Sequence, residues 1–190
     1  MKNRSLWVFL GIVAVVLIWG VRSYNGLVTM DEQVSASWAD VEAAYQRRAE
    51  LIPNLVNTVK GYATHENETL SQVTALRTQS INPATATPEE MEAWRRSQDE
   101  VASTLGRLIA ISESYPELKA SQNFSDLQMQ LEGTENRIAT ARMKYNESVR
   151  LYNSKLRRFP ANLVANMFGF EKYAMFDANE GAEVAPVVEF

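Results

Sequence analysis

The chain has 190 residues, 46% of them apolar and 22% charged, with a formal net charge of −4 and no cysteine. That length suits one domain plus an anchor, the composition excludes wholesale disorder, and the missing Cys removes disulfides, thiolate metal sites and lipid attachment through Cys. Charge is unevenly placed. Three of the 19 Lys and Arg residues fall in residues 1–22 with no acid, leaving 16 against 23 Asp and Glu in the remainder, a net −7. Such an acidic body is a poor partner for nucleic acid, whose phosphates reward clustered cations.

The first element decides the class. Residues 1–5 form a short N-terminal tail, and Leu6 to Val21 follows as sixteen residues without a charge. As a helix this run covers about 24 Å, to which Ser5 and Tyr24 add while Arg22 snorkels to the interface. Trp7 and Trp19 stand near its ends, where indoles favour the headgroup region. The anchor is therefore expected over residues 6–23, carried by Leu6, Trp7, Val13, Val16, Trp19 and Val21. A cleaved signal peptide is the competing reading, but its best cleavage site, Val21-Arg22-Ser23, offers few small residues. Lys2 and Arg4 before the span outnumber Arg22 after it, so the positive-inside rule puts the N-terminus in the cytoplasm and the body outside, by a margin of one residue.

Beyond the span, apolar residues recur three and four apart, the pattern of helices packed side by side. The first seam runs Leu27, Val34, Trp38, Val41, Tyr45, Ile52, Leu55, Val59 and Tyr62, resuming at Leu70 and Val73. Asn25-Gly26 is a point where it could bend, and Pro53 predicts a kink near 49–54 by removing the hydrogen bond to the Ala49 carbonyl. A loop over 78–86 precedes Thr87-Pro88-Glu89-Glu90, the strongest boundary signal in the chain: Thr87 as N-cap, Pro88 at the first position, Glu90 closing a capping box. The second helix is expected to end before Pro116. A third starts at Ser125 and carries Leu127, Leu131, Ile138, Ala141, Tyr145, Val149, Tyr152, Leu156 and Phe159. A short helix over 162–168 ends at Gly169. The fold is thus all-α: a transmembrane helix followed by an antiparallel bundle of three long helices and one short one over residues 24–170. The tail, 171–190, is acidic and then apolar. Val184, Pro186, Val188 and Phe190 read there as an extended strip, either a ligand for a partner or a strap across the bundle.

Chemistry is sparse. The single His, His65, rules out His-Glu-x-x-His and paired Glu-x-x-His sites, and no glycine-rich phosphate loop occurs. No catalytic, cofactor-binding or metal-ligating residue is assigned, and the chain is not expected to be an enzyme. Polar residues on or beside the seams (Arg48, His65, Glu66, Arg77, Arg107, Glu113, Glu135, Asn136, Arg142, Asn146, Asn153) are expected to set helix register rather than line a ligand pocket, because their charges are mixed. Aromatic seam residues are expected in the core.

Taken together, several ordered segments resemble the LemA family over nearly the whole chain. They include Tyr24-Asn25-Gly26-Leu27-Val28, Arg47-Arg48-Ala49-Glu50-Leu51-Ile52-Pro53-Asn54-Leu55-Val56, Gly61-Tyr62-Ala63-Thr64-His65-Glu66 and Glu113-Ser114-Tyr115-Pro116-Glu117-Leu118. Thr134-Glu135-Asn136-Arg137-Ile138-Ala139, Phe159-Pro160, Phe168-Gly169-Phe170 and the closing Pro186-Val187-Val188-Glu189-Phe190 complete the pattern. The resemblance implies a single-pass protein of the bacterial inner membrane with a helical body, no established activity, and partners among membrane proteases and envelope proteins. Family members are described with the body in the cytoplasm, opposite to the charge reading, so sidedness stays open. The functional expectation is a membrane-tethered scaffold that binds the bilayer, forms homo-oligomers and takes no cofactor. A ligand sensor signalling through another membrane protein is the alternative.

Overall fold

The computed structural model describes residues 2–62, 70–73 and 80–176, and every regular element among them is helical. α1 spans Lys2–Lys60, α2 Pro88–Ile111, α3 Pro116–Lys119, α4 Gln122–Arg157 and α5 Ala161–Phe168, with a 3-10 turn over Ser112–Ser114. Residues 70–73 are helical as well. The class is all-α, as the periodicity predicts.

α1 is one unbroken helix from the apolar span into the body. It passes Asn25-Gly26 and Pro53 without interruption. Proline in a helix interior forfeits one ladder bond, here to Ala49, but the neighbouring turns stay packed: Leu51, Leu55, Val56 and Val59 are all buried. α1 ends instead at Gly61-Tyr62, where the Gly61 and Tyr62 N–H groups donate to the Thr58 and Val59 carbonyls in a tightened last turn. Tyr62 leaves the core as a result and is 43% exposed. The other five aromatic seam residues, Trp38, Tyr45, Trp94, Tyr145 and Tyr152, are buried.

The boundary at Thr87 forms as its residues require. The Thr87 hydroxyl accepts from the Glu90 N–H at 3.2 Å, the Glu90 carboxylate accepts from the Thr87 N–H at 2.8 Å, and Pro88 occupies the first helical position. Further on, the second helix ends before Pro116, as expected: α2 stops at Ile111 and the 3-10 turn at Ser114, and Pro116 opens the single helical turn of α3, because a helix start has no need of the missing N–H. One start differs from expectation. α4 begins at Gln122, so Ser125 lies inside the first turn, its N–H donating to the Ser121 carbonyl. α5 ends at Gly169, whose φ of 73° is the left-handed conformation that glycine adopts without penalty, and the Phe170 N–H closes back on Ala165.

The helices form two units. In the first, residues through Tyr45 and Thr134–Tyr173, α1 and α4 run antiparallel. Trp38 meets Tyr145 edge-on at 5.1 Å, and one heptad away on each helix Asp31 faces Tyr152 closely enough for its charge to act on the phenol. Leu27, Val34, Val41, Ile138, Val149 and Leu156 are buried along the same seam. In the second unit, which includes Gln46–Gly133, the core joins Leu55, Val56 and Val59 of α1 to Val101, Leu105 and Leu108 of α2 and to Phe124 and Leu131 of α4. Leu70, Val73 and Leu118 close it.

Thr87 supplies one of the few side chains that satisfy the orphan N–H groups of α2. Replacing Thr87 with Ala is expected to lower unfolding free energy by about 1 kcal/mol, read from urea denaturation of the detergent-solubilised chain. An unchanged midpoint would mean that the cap is redundant.

Candidate functional site

The start of α1 is the clearest functional surface. Among helices of the described residues, α1 alone is long and apolar enough to cross a membrane, and none of that apolar window is buried by protein. Trp7, Val13, Val16, Trp19 and Val21 are all exposed, Trp7 by 73%. Leu6 stands in the same helix, its side chain outside the described residues. Burial by protein begins only at Ser23 and Leu27. A helix apolar on every side and bare of protein has its groups satisfied only in lipid, since its backbone bonds are internal.

Where the body begins, polar groups fasten the returning chain. Asn153 of α4 donates its amide to the Tyr173 carbonyl at 2.9 Å and accepts from the Tyr173 N–H at 3.2 Å, pairing with that backbone as a strand neighbour would. The Tyr173 hydroxyl donates to Asp31 at 3.0 Å, and the Asp31 charge also acts on the neighbouring Tyr152 phenol. Burial pushes the Tyr152 phenol well above its ordinary range, with the Asp31 charge adding to it. Tyr173 moves up for the same two reasons, and burial does likewise to Tyr145. These phenols are held neutral as donors, which is a structural role.

Of the polar seam residues, Arg48 is the most deeply buried, donating to the side-chain and backbone oxygens of Gln98 at 2.7 and 3.2 Å. Asn153 forms the clasp just described, and Glu135, Arg142 and Asn146 are half-buried. Arg107, Glu113 and Asn136 face solvent instead. His65, Glu66 and Arg77 lie outside the described residues, as do the tail residues Val184, Pro186, Val188 and Phe190. Sequence reasoning missed Gln98, Thr104 and Arg95 of α2, which are buried although polar. Their signal was spacing: with Met91, Trp94, Val101, Leu105 and Leu108 they complete one helical face.

Arg95 sits between Glu92 and Asp99, at 2.6 Å from each. The Arg95 guanidinium, with help from Arg96, draws the Glu92 carboxyl down to about 2. Met91, Glu92 and Arg95 line a small recess with Pro88, Met175 and Phe176, and Phe176 packs at 5.9 Å from Trp94. No cluster of three or more His, Asp or Glu placed to hold a metal ion occurs among the described residues.

A family model described as the LemA family matches residues 37–190, from the middle of α1 onward. The chain belongs to the LemA family. Magnetosome protein MamQ 2 of Paramagnetospirillum magneticum is 26% identical over 186 residues, covering 87% of this chain and 68% of its own length. Magnetosome protein MamQ of Magnetospirillum gryphiswaldense is 27% identical over 174 residues, covering 80% of this chain and 64% of its own. Protein LemA of Metamycoplasma hominis is 28% identical over 158 residues, covering 82% and 69%. With the bare apolar start of α1, this LemA-family chain is a membrane-associated helical protein.

Two outcomes test the family member's polar groups. Asn153→Ala removes both hydrogen bonds to Tyr173 and leaves its backbone half-buried without partners, so unfolding free energy should drop by about 1–3 kcal/mol in denaturant titration. Glu92 has a depressed pKa in the folded state, so its contribution is present above about 4.5 and disappears as pH falls toward about 2. The melting-temperature advantage of the native chain over Glu92→Gln should therefore be full at neutral pH and shrink across that window. A pH-independent difference would mean that the carboxylate's charge is irrelevant.

Proposed function

We propose that this protein is a single-pass scaffold of the bacterial inner membrane, held by Leu6–Val21, whose helical body self-associates and docks other membrane or envelope proteins, membrane proteases among them. It performs no catalytic step in this reading. The observation that carries it is the continuity of α1: the lipid-facing span and the seam of the body are one helix, so the body is held close to the bilayer. Self-association is supported by the outer face of α4, where Met129, Met143 and Leu151 are exposed. Beside Met143 lies an open groove with Ala36, Ser37 and Asp40 on one wall and Lys144 and Glu147 on the other. Relatives named for the magnetosome fit a role in assembling a cellular structure.

The chain contains no Cys, so single reporter cysteines are unambiguous. In membranes bearing Met143→Cys, short crosslinkers should yield adducts of two or more copies, and mass spectrometry should identify heterologous partners. A membrane-impermeant maleimide applied to intact and then opened cells reports the side on which the body lies. Monomer alone at every crosslinker length would sink the self-association, and recovery of the chain in an alkaline aqueous wash would sink the anchor.

A further inference from the structure

α5 is apolar on both sides. Its inner face buries Ala161, Val164 and Ala165, which is ordinary. Its outer face presents Leu163 and Met167, and Phe159 stands just before it; Phe159 is 79% and Met167 76% exposed. Three large apolar side chains on nine consecutive residues, all exposed, make an apolar patch on a helix of only eight residues.

The register of the first unit fixes where this patch lies. Trp38 faces Tyr145, and seven residues on in each helix Asp31 faces Tyr152. On the same register Arg157, the last residue of α4, falls opposite Gly26, about 3 Å along the axis from Tyr24. The far end of α5 returns to the same level, because the Phe168 ring lies 4.8 Å from Tyr24 and Phe170 packs against that tyrosine at 5.7 Å. The chain entering α5 and the far end of α5 thus stand near the height of Tyr24, and the helix runs across the end of the α1–α4 pair rather than along it. Tyr24 is three residues past the apolar span, about 4.5 Å along the axis, within the few ångströms that headgroups occupy beyond the hydrocarbon.

Charge agrees. Between Glu147 and Glu171 the chain has no acid, while Arg150, Lys155, Arg157 and Arg158 fall in that interval. Arg157, Arg158 and Lys172 are exposed, as is Arg22 at the foot of the span. In a body of net −7 this is a local reversal of sign, on the one edge that abuts the membrane.

We propose that α5 with Phe159 is a second membrane element, a short helix lying in the headgroup layer of an anionic bilayer with Leu163 and Met167 turned into it. The inference rests on Leu6–Val21 being embedded. It differs from the anchor in kind: an amphipathic contact at the interface, held by apolar area and by attraction of Arg157 and Arg158 to acidic headgroups. Held at two places, the first unit keeps one orientation on the surface instead of swivelling on a single helix.

The test uses the full chain with single cysteines at Leu163→Cys, Met167→Cys, Val13→Cys and, as an exposed control on α2, Ala110→Cys, each carrying an environment-sensitive fluorophore, in phosphatidylcholine vesicles with phosphatidylglycerol. Probes at 163 and 167 should lose emission to a nitroxide carried near the lipid headgroup, resist aqueous iodide, and shift to shorter wavelength; the probe at 110 should behave oppositely. Omitting phosphatidylglycerol, or adding Arg157→Glu with Arg158→Glu, should lower lipid quenching at 163. Iodide quenching at 163 and 167, with position 13 still quenched by lipid, overturns the proposal and leaves the anchor standing. Protection from both quenchers means that a second copy or another protein covers the face, which also overturns it. Loss of lipid quenching at position 13 overturns the anchor and the proposal together.

Discussion

The architecture depends on the packing of one face of α1. From Val34 onward, residues 34, 38, 41, 45, 48, 52, 55 and 59 step by four and three without a slip, and all but Ile52, which packs against the core from its edge, are buried. A strict seven-residue repeat keeps a single stripe facing its neighbours over many turns, and the matching stripe of α4 meets it in antiparallel register. Pro53 falls off the stripe and is exposed, so the side of the helix that lacks a donor is the side that water reaches. The same helix over residues 7–21 has no stripe at all: it is apolar on every face, and no protein covers it.

Polar groups inside this packing act as fasteners. Arg48 occupies a stripe position and spends its donors on Gln98, fixing α1 against α2 at one height. Asn153 and Asp31 do the corresponding work in the other unit, where they grip the backbone and hydroxyl of Tyr173 and so bring the segment after Gly169 back onto the helices. Greasy stripes slide easily past one another; a buried hydrogen-bonded pair has one satisfactory position, which is why a few such groups define register.

Much of this was legible in the residues. The span, the seams, the capping box at Thr87 and the stop at Gly169 each have a local cause, and local causes can be read from one strand of text. The deviations are equally physical. Gly61-Tyr62 ends α1 although the apolar pattern continues, because a tightened turn costs little once glycine is available. The third long helix starts at Gln122 and not at Ser125, since the Ser125 N–H donates to the Ser121 carbonyl inside the first turn. Gln98 and Thr104 were invisible as core because their chemistry argued against burial; the Gln98 side-chain oxygen is taken up by Arg48, fifty residues away, and the Thr104 hydroxyl donates to the Glu100 carbonyl one turn back. The outward face of α5 could be counted from sequence, but its height relative to Tyr24 needed the register of two distant helices.

An unbroken α1 also imposes a phase relation. Each residue advances a helix by about 100° and about 1.5 Å, so the azimuth at which Tyr24 meets Phe168 and Phe170 and the azimuth at which Val34 meets α4 are geared together through residues 25–33. One residue added there would turn Tyr24 away from those rings by more than a quarter of a revolution, whereas seven would return it nearly to its starting bearing, displaced by about 10 Å. Either change parts Tyr24 from the rings on which it packs.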